Sequence, residues 1–341
     1  MLSQPRAALL VSSRFANSVL CYDATTGAFI DAFVAPNSGG LENPSSLAFG
    51  PDNNFYVASF KTNSVLRYDG QTGAFIDAFV PPSSGGLDGS ISLTFRPDNY
   101  LCVVSGKFGS NSILRYNATS GEFIDTFVPS GSGGLEAPVG MAFEPDNNLY
   151  VASLTQGNIR CYNGQTGEFI DTFVPSSNDG LVDGATGFSD PLGFKGFTGL
   201  TFGSDNISVP YKDSYTTAPA TIDTIPHSRT GDVFDSNGNC YNLYVASFKT
   251  NSVLRYDGQT GKFIDSFFPS GSGGLEDPTG ITFGPDNNLY VNSHRNNRIL
   301  RDDGQTGAFI DVFVPPGSGG LSGPNIGLIF SPTAFDGLAL G

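Results

Sequence analysis

The 341-residue chain has no tryptophan, two methionines, four cysteines and two histidines, and only 14% of its residues are charged. Each scarcity excludes something. Four cysteines without a Cys-x-x-Cys spacing make neither a disulfide-dense scaffold nor a structural zinc site. Seventeen basic residues against 32 acidic ones give a net charge of −15, which leaves no broad positive surface to neutralise phosphates, so nucleic acid is excluded as a partner. No apolar run reaches the length of a membrane span. Near the start only residues 7–11 are hydrophobic, too short for a signal-peptide core, so this chain is expected to carry no leader. Capped segments of helical period are missing as well.

What is abundant is glycine (44) and proline (22), with 39% hydrophobic residues, a turn-rich and all-β composition too apolar for disorder. The chain also repeats itself. Gly-x-Phe-Ile-Asp occurs six times, with its phenylalanine at Phe29, Phe75, Phe123, Phe169, Phe263 and Phe309, at spacings of 46, 48, 46, 94 and 46 residues. The 94 holds one copy of each other marker and two insertions, at 182–198 and 207–241. Two extra residues near Phe108 explain the 48. One unit reads as four short strands. A Pro-Asp-Asn-Asn turn (51–54, 145–148, 285–288) joins the first two, and Asp-Gly-Gln-Thr-Gly or a close variant joins the last two (69–73, 257–261, 303–307).

A lone four-stranded sheet leaves two apolar faces uncovered, so the units must stack. Six sheets arranged radially make a six-bladed β-propeller of four antiparallel strands per blade, which is the expected fold for one domain over 1–341. Eighteen of the 29 phenylalanines fall at three repeated positions, typified by Phe49, Phe75 and Phe79, and supply the packing between blades. The absence of tryptophan argues against repeats built on a recurring Trp, such as WD40. The ends complement each other: residues 8–13, 18–22 and 28–34 read as three outer strands without an innermost one, and 327–330 as an innermost strand alone. The expected closure joins this C-terminal strand to the three N-terminal ones.

The string Phe-Gly-Pro-Asp-Asn-Asn-Leu-Tyr-Val (283–291), followed by Asn-x-x-Ile-Leu-Arg-x-Asp, resembles NHL-repeat propellers, the streptogramin-lyase-like group in particular. The resemblance spans nearly the whole chain outside the insertions. It implies the propeller fold and, for the lyase members, a divalent metal with a His/Glu constellation on one face. This chain offers only His294 and, in the second insertion, His227.

Strand order sorts the loops onto two mouths of the ring. The second mouth carries the turns with Asp23, Asp52, Asp69, Asp98, Asp146, Asp205, Asp257, Asp286 and Asp303, read as turn-forming aspartates, with calcium, magnesium or a cationic partner as the alternative. The first mouth carries, just after the Val-Ala-Ser strand, Lys61, Lys107, Lys249 and Arg295, with Arg14 one place earlier in its own blade. Phe60 and Phe248 precede the lysines, and Leu154 and His294 share that register. Cations beside exposed aromatics at a concave mouth suit a protein segment or an anionic or sugar-like ligand. Duplication also explains part of the pattern, since 57–81 and 245–269 match at 22 of 25 positions.

Other signals read as structural. Arg67, Arg115, Arg255 and Arg301 recur with Asp77, Asp125, Asp265 and Asp311, and are expected as diagonal ion pairs. Cys21, Cys102, Cys161 and Cys240 are expected as free thiols. The stretch 232–239 resembles a calcium loop but has Ala246 where the bidentate glutamate belongs. Asn117 and Asn206 open glycosylation sequons by pattern alone. The combined reading is a non-enzymatic binding or assembly module of a secreted bacterial protein, extracellular or periplasmic, with self-association allowed. The alternatives are a metal-dependent lyase or lactonase-type enzyme and a structural protein packing into an extracellular assembly. The larger insertion is read as a partner-specific contact or a polar loop.

Overall fold

The computed structural model describes residues 7–96, 98–107, 109–143, 147–176, 197–204 and 241–332. Its strands form six four-stranded antiparallel sheets. In blade 2 the inner strand is Pro44–Phe49, followed outward by Phe55–Ser59, Ser64–Tyr68 and Phe75–Val80. Blade 3 (90–128), blade 4 (138–174), blade 5 (197–268) and blade 6 (278–314) repeat this order. Blade 1 takes its inner strand, Pro324–Phe330, from the C-terminus and its other three, Ala8–Ser13, Ser18–Asp23 and Phe29–Val34, from the N-terminus. Leu9, Leu10 and Val11 pair with Phe330, Ile329 and Leu328. The closing strand starts at Pro324, three residues before the expected Gly327. This copy has one residue more than its sisters and absorbs it as a register shift between Val11 and Ser13. The insertions at 182–198 and 207–241 fall outside the described residues except at their ends, where Phe197 and Tyr241 begin strands.

Three recurrent devices join neighbouring blades. The first is an aromatic trio. Tyr56 in the second strand lies edge-on to Phe79 of its own blade (4.9 Å) and to Phe95 of the next blade's inner strand (4.7 Å). Tyr150, Tyr244 and Tyr290 repeat this with Phe173 and Phe202, Phe267 and Phe283, and Phe313 and Phe330. Each such edge-on pair adds about 1 kcal/mol beyond the area it buries. In blade 3 the tyrosine is Cys102, and the Arg96 guanidinium sits 4.5 Å over Phe143 instead.

The second device is the Ser-Gly-Gly turn after the outer strand. The Ser38 carbonyl accepts the Tyr68 hydroxyl of the next blade (2.9 Å). Gly39, with φ at 62°, lies so close to Phe75 that an added Cβ would stand 2.1 Å from its ring. Glycine is needed there for both conformation and clearance. The third is an asparagine clasp: Asn17, Asn63, Asn111, Asn251 and Asn297 accept the N–H of Asn43, Gly89, Ala137, Asp277 and Gly323 at the start of the next inner strand.

The recurrent Arg–Asp pairs are directly opposite in register, not diagonal: Arg67 faces Asp77. The fork is bidentate, Nε to Oδ1 at 3.1 Å and Nη2 to Oδ2 at 2.6 Å, and the guanidinium lies 5.0 Å over Phe79. The irregular register between third and outer strands, shifting on both sides of Arg67, brings the two residues face to face. Blades 3, 5 and 6 repeat the pair. It covers the aromatic trio and has no chemistry of its own.

Candidate binding face

On the second mouth the aspartates hold their own turns. Asp69 accepts the backbone N–H groups of Gln71 and Thr72 and the Thr72 hydroxyl (2.8–3.0 Å), and Asp23, Asp257 and Asp303 do the same. Those donors hold the Asp69 and Asp303 carboxyls below the usual carboxylate range. Asp52 accepts from Asn54 and Tyr56, Asp286 from Asn288 and Tyr290, and Asp98 from Arg96. Asp146 and Asp205 lie outside the described residues, as do His227, Cys240, Asn206 and the 232–239 stretch.

The first mouth differs from its sequence reading. The loop after the second strand is pinned by Ser59, whose hydroxyl accepts the Glu42 N–H and donates to the Glu42 carbonyl (3.1 and 3.2 Å), and by Phe60 N–H to Asn43 O. This geometry turns the first loop residue inward to the ring axis and the second outward. Phe60 is therefore buried (8% exposed), not exposed. It packs in one core with Ile91, Val139 and Leu154, and with the half-buried Ile326 of the closing strand. Arg14 is buried too (3%), and Phe248 and His294 are half-buried. The expected exposed aromatic beside Lys61 is thus a buried one, and Leu154 of the same register is buried with it. Phe60 is covered by side chains of other blades, which reading its own blade alone does not reveal.

The outward residues Lys61, Lys107, Lys249 and Arg295 are exposed, as expected. They alternate with acids from the loops entering the inner strands. Lys107 pairs with Asp88 (3.3 Å) and Arg295 with Asp277 (3.5 Å), while Lys61 lies beside Glu42, whose carbonyl accepts its N–H. The face is therefore a mixed-charge surface and not a cationic funnel.

One residue of this face escaped the sequence reading. In blade 1 the cation comes one place early, which turns Arg14 inward and leaves Phe15 in the outward slot, 60% exposed. Its ring lies 5.0 Å from the Arg14 guanidinium carbon and 6.0 Å from the His294 ring. His294 Nδ1 is 2.9 Å from the Pro324 carbonyl of the closing strand. The one-place offset of Arg14 was the available signal. Arg14, Phe15, His294 and Arg295 thus meet where blades 1 and 6 join. Two recesses among the described residues lie elsewhere, one at Phe49, Asn53, Gly70, Gln71 and Pro332 and one at Val174, Pro175, Tyr256, Thr260, Gly261, Lys262 and Phe263, and neither contains a candidate of this face.

No protein-family model and no curated protein sequence matches the chain. Solved structures do. A structure titled streptogramin B lyase superposes with a TM-score of 0.51 at 16% identity, covering 81% of this chain and 70% of that one. A catalytically inactive virginiamycin B lyase from Staphylococcus aureus with quinupristin gives 0.50 at 14% identity, over 81% and 72%. A structure from the nidogen/laminin complex gives 0.63 at 13% identity, over 95% and 98%. What these share with the chain is the fold. The propeller implied by the resemblance to streptogramin-lyase-like repeats is the one observed.

The described residues do not fit the metal constellation that the resemblance implies. They bring no three His, Cys, Asp or Glu side chains together, and His294 faces a carbonyl and a phenylalanine ring. Cys21, Cys102 and Cys161 are buried thiols outside any disulfide, and burial pushes the Cys21 and Cys102 thiols up to about 12, so neither of these two is a ready nucleophile.

Proposed function

We propose that the chain is a non-enzymatic binding module that meets a protein partner with its first face, centred on Arg14, Phe15, His294 and Arg295 and flanked by Lys61, Lys107 and Lys249. The observation that carries this is Phe15, an aromatic ring more exposed than any other large apolar side chain described, backed by a guanidinium and an imidazole on rigid blades. Aromatic and arginine side chains are the usual anchors of protein interfaces. The alternation of acids and bases around them suits a polypeptide surface of mixed charge better than a free anion or sugar. A chain of the same fold, in a structure titled as a nidogen/laminin complex, supports this use of it.

The test is selection of peptide ligands from a displayed library against the full chain. Phe15→Ala and Arg295→Ala should weaken the selected ligands at least about tenfold, the triple change Lys61, Lys249 and Arg295 to alanine should abolish binding in a salt titration, and Asp69→Ala on the other face should change nothing. Ligands indifferent to Phe15 would refute the assignment.

A second reading, assembly, has its own observation. All six outer strands are sheet edges with open backbone, and five of them present a solvent-facing Phe–Ile pair, such as Phe75 (42% exposed) and Ile76 (43%). Sedimentation of the full chain at rising concentration separates the two: a monomer throughout supports the first-face reading alone. Residence outside the cell or in a periplasm belongs to this proposal. Deeply buried, poorly ionised thiols are compatible with an oxidising compartment.

A further inference from the structure

One seam breaks the rule that four others follow. Five blades carry a fully buried tyrosine in the third strand: Tyr22, Tyr68, Tyr116, Tyr162 and Tyr256. Four of these donate their hydroxyl to the serine carbonyl of the preceding blade's Ser-Gly-Gly turn, at Ser318, Ser38, Ser84 and Ser132 (2.8–3.0 Å). In blade 6 the equivalent residue is Asp302. It lies between Leu289 and Phe309 in register, is 0% exposed, and neither carboxyl oxygen has a hydrogen-bond partner. The blade 5 turn that faces it, Ser272–Gly274, keeps the Gly273–Phe309 contact but receives no phenol.

We propose that the seam between blades 5 and 6 is a pH-sensitive joint, closed while Asp302 is a neutral acid and loosened when its carboxyl ionises. Burying an unpaired carboxylate costs far more than burying the same carboxyl as a neutral acid, which carries no net charge to desolvate. No described group donates to the carboxyl. On the second strand side stand Leu289 and Tyr290. The blade 5 turn has no charged residue of its own; the one guanidinium that reaches it, that of Arg298 four residues before Asp302 on the same strand, donates to the Gly274 carbonyl. The outer strand contributes Asp311, which repels, and Arg301 is committed to Asp311 (2.6 Å) and faces Asp286 (3.8 Å). Asp303 is held in its own turn. Burial first, and then Asp311, pushes the Asp302 carboxyl up to about 8. Since the unfolded value is about 3.9, the stabilisation is complete below about pH 4 and is lost as pH rises to about 8, beyond which it stays lost.

The test compares the full chain with Asp302→Asn, which keeps the shape without the charge, and Asp302→Tyr, which restores the sister residue. Melting temperature is followed from pH 5 to 9, and the Asp302 carboxyl carbon is titrated by NMR. The expected result is that the native chain loses stability relative to Asp302→Asn through this window, that Asp302→Tyr lacks the same loss, and that the carboxyl titrates near 8. Exchange of the Leu275 amide, corrected for its intrinsic rate, should quicken about tenfold per pH unit within the window if opening follows ionisation. Parallel pH profiles for the native chain and Asp302→Asn, or a carboxyl titrating near 4, would overturn the proposal. If Asp302→Tyr fails to fold, the asparagine variant and the titration decide.

Discussion

The two faces of the ring come from the same repeat and differ in what their polar groups do. On the second face Asp69 collects three donors inside its own turn, and Gly73 beyond it, with φ at 67°, lies against the Phe33 carbonyl of the neighbouring blade. On the first face Lys61 and Lys249 point outward from loops whose backbone is already pinned by serine and asparagine, so their side chains contribute little to holding the ring. A repeat can therefore vary its first face at small cost to the fold, and this chain does so with Phe15, Lys61, Lys107, Thr155, Lys249 and Arg295 in one register. The second face is constrained by folding, and the outward positions of the first are constrained less.

That contrast breaks most visibly in the seams. Tyr150→Ala removes the centre of an aromatic trio and should cost about 3–5 kcal/mol in denaturant unfolding. The same position is leucine in blade 1, so Tyr150→Leu should cost markedly less. Gly121→Ala on the second face should cost about 3 kcal/mol, because φ is 73° and the new Cβ would stand 2.0 Å from the Phe79 carbonyl oxygen. Asp69→Ala, which leaves an exposed turn without its acceptor, should cost about 1 kcal/mol, read by the same titration. Phe15→Ala and Lys107→Ala on the first face should stay within about 0.5 kcal/mol of the native chain while the first of them loses ligand. A first-face change as costly as Gly121→Ala would erase the distinction. Cys21 and Cys102, with thiols up at about 12, should resist alkylation at pH 8 until the chain unfolds.

Much of this architecture was legible before any coordinates. Phe29 through Phe309 give the period, the Asp-Gly-Gln-Thr-Gly turn gives the hairpin, and the unmatched ends give the closing sheet, because each depends on local chemistry repeated in register. The docking of Gly39 under Phe75 was not, since the residues that meet belong to different repeats and neither sequence motif announces the other. Phe60 misled because an aromatic in a loop reads as exposed until the loop's tilt toward the axis is known. Asp302 stands out once the six third strands are aligned, as the one acid in a column of tyrosines. Its burial, which gives it consequence, comes from the neighbouring blade.

The ring closes by hydrogen bonds, the C-terminal strand lying against the N-terminal one. Hydrogen exchange of the amides of Leu9, Leu10 and Val11 and of Leu328, Ile329 and Phe330 measures that closure directly. These amides should exchange only with global unfolding, as slowly as Val57 and Val151 in the middle of uninterrupted blades. Exchange at the rate of surface loops on either strand, with the other blades protected, would show the ring open and contradict the account.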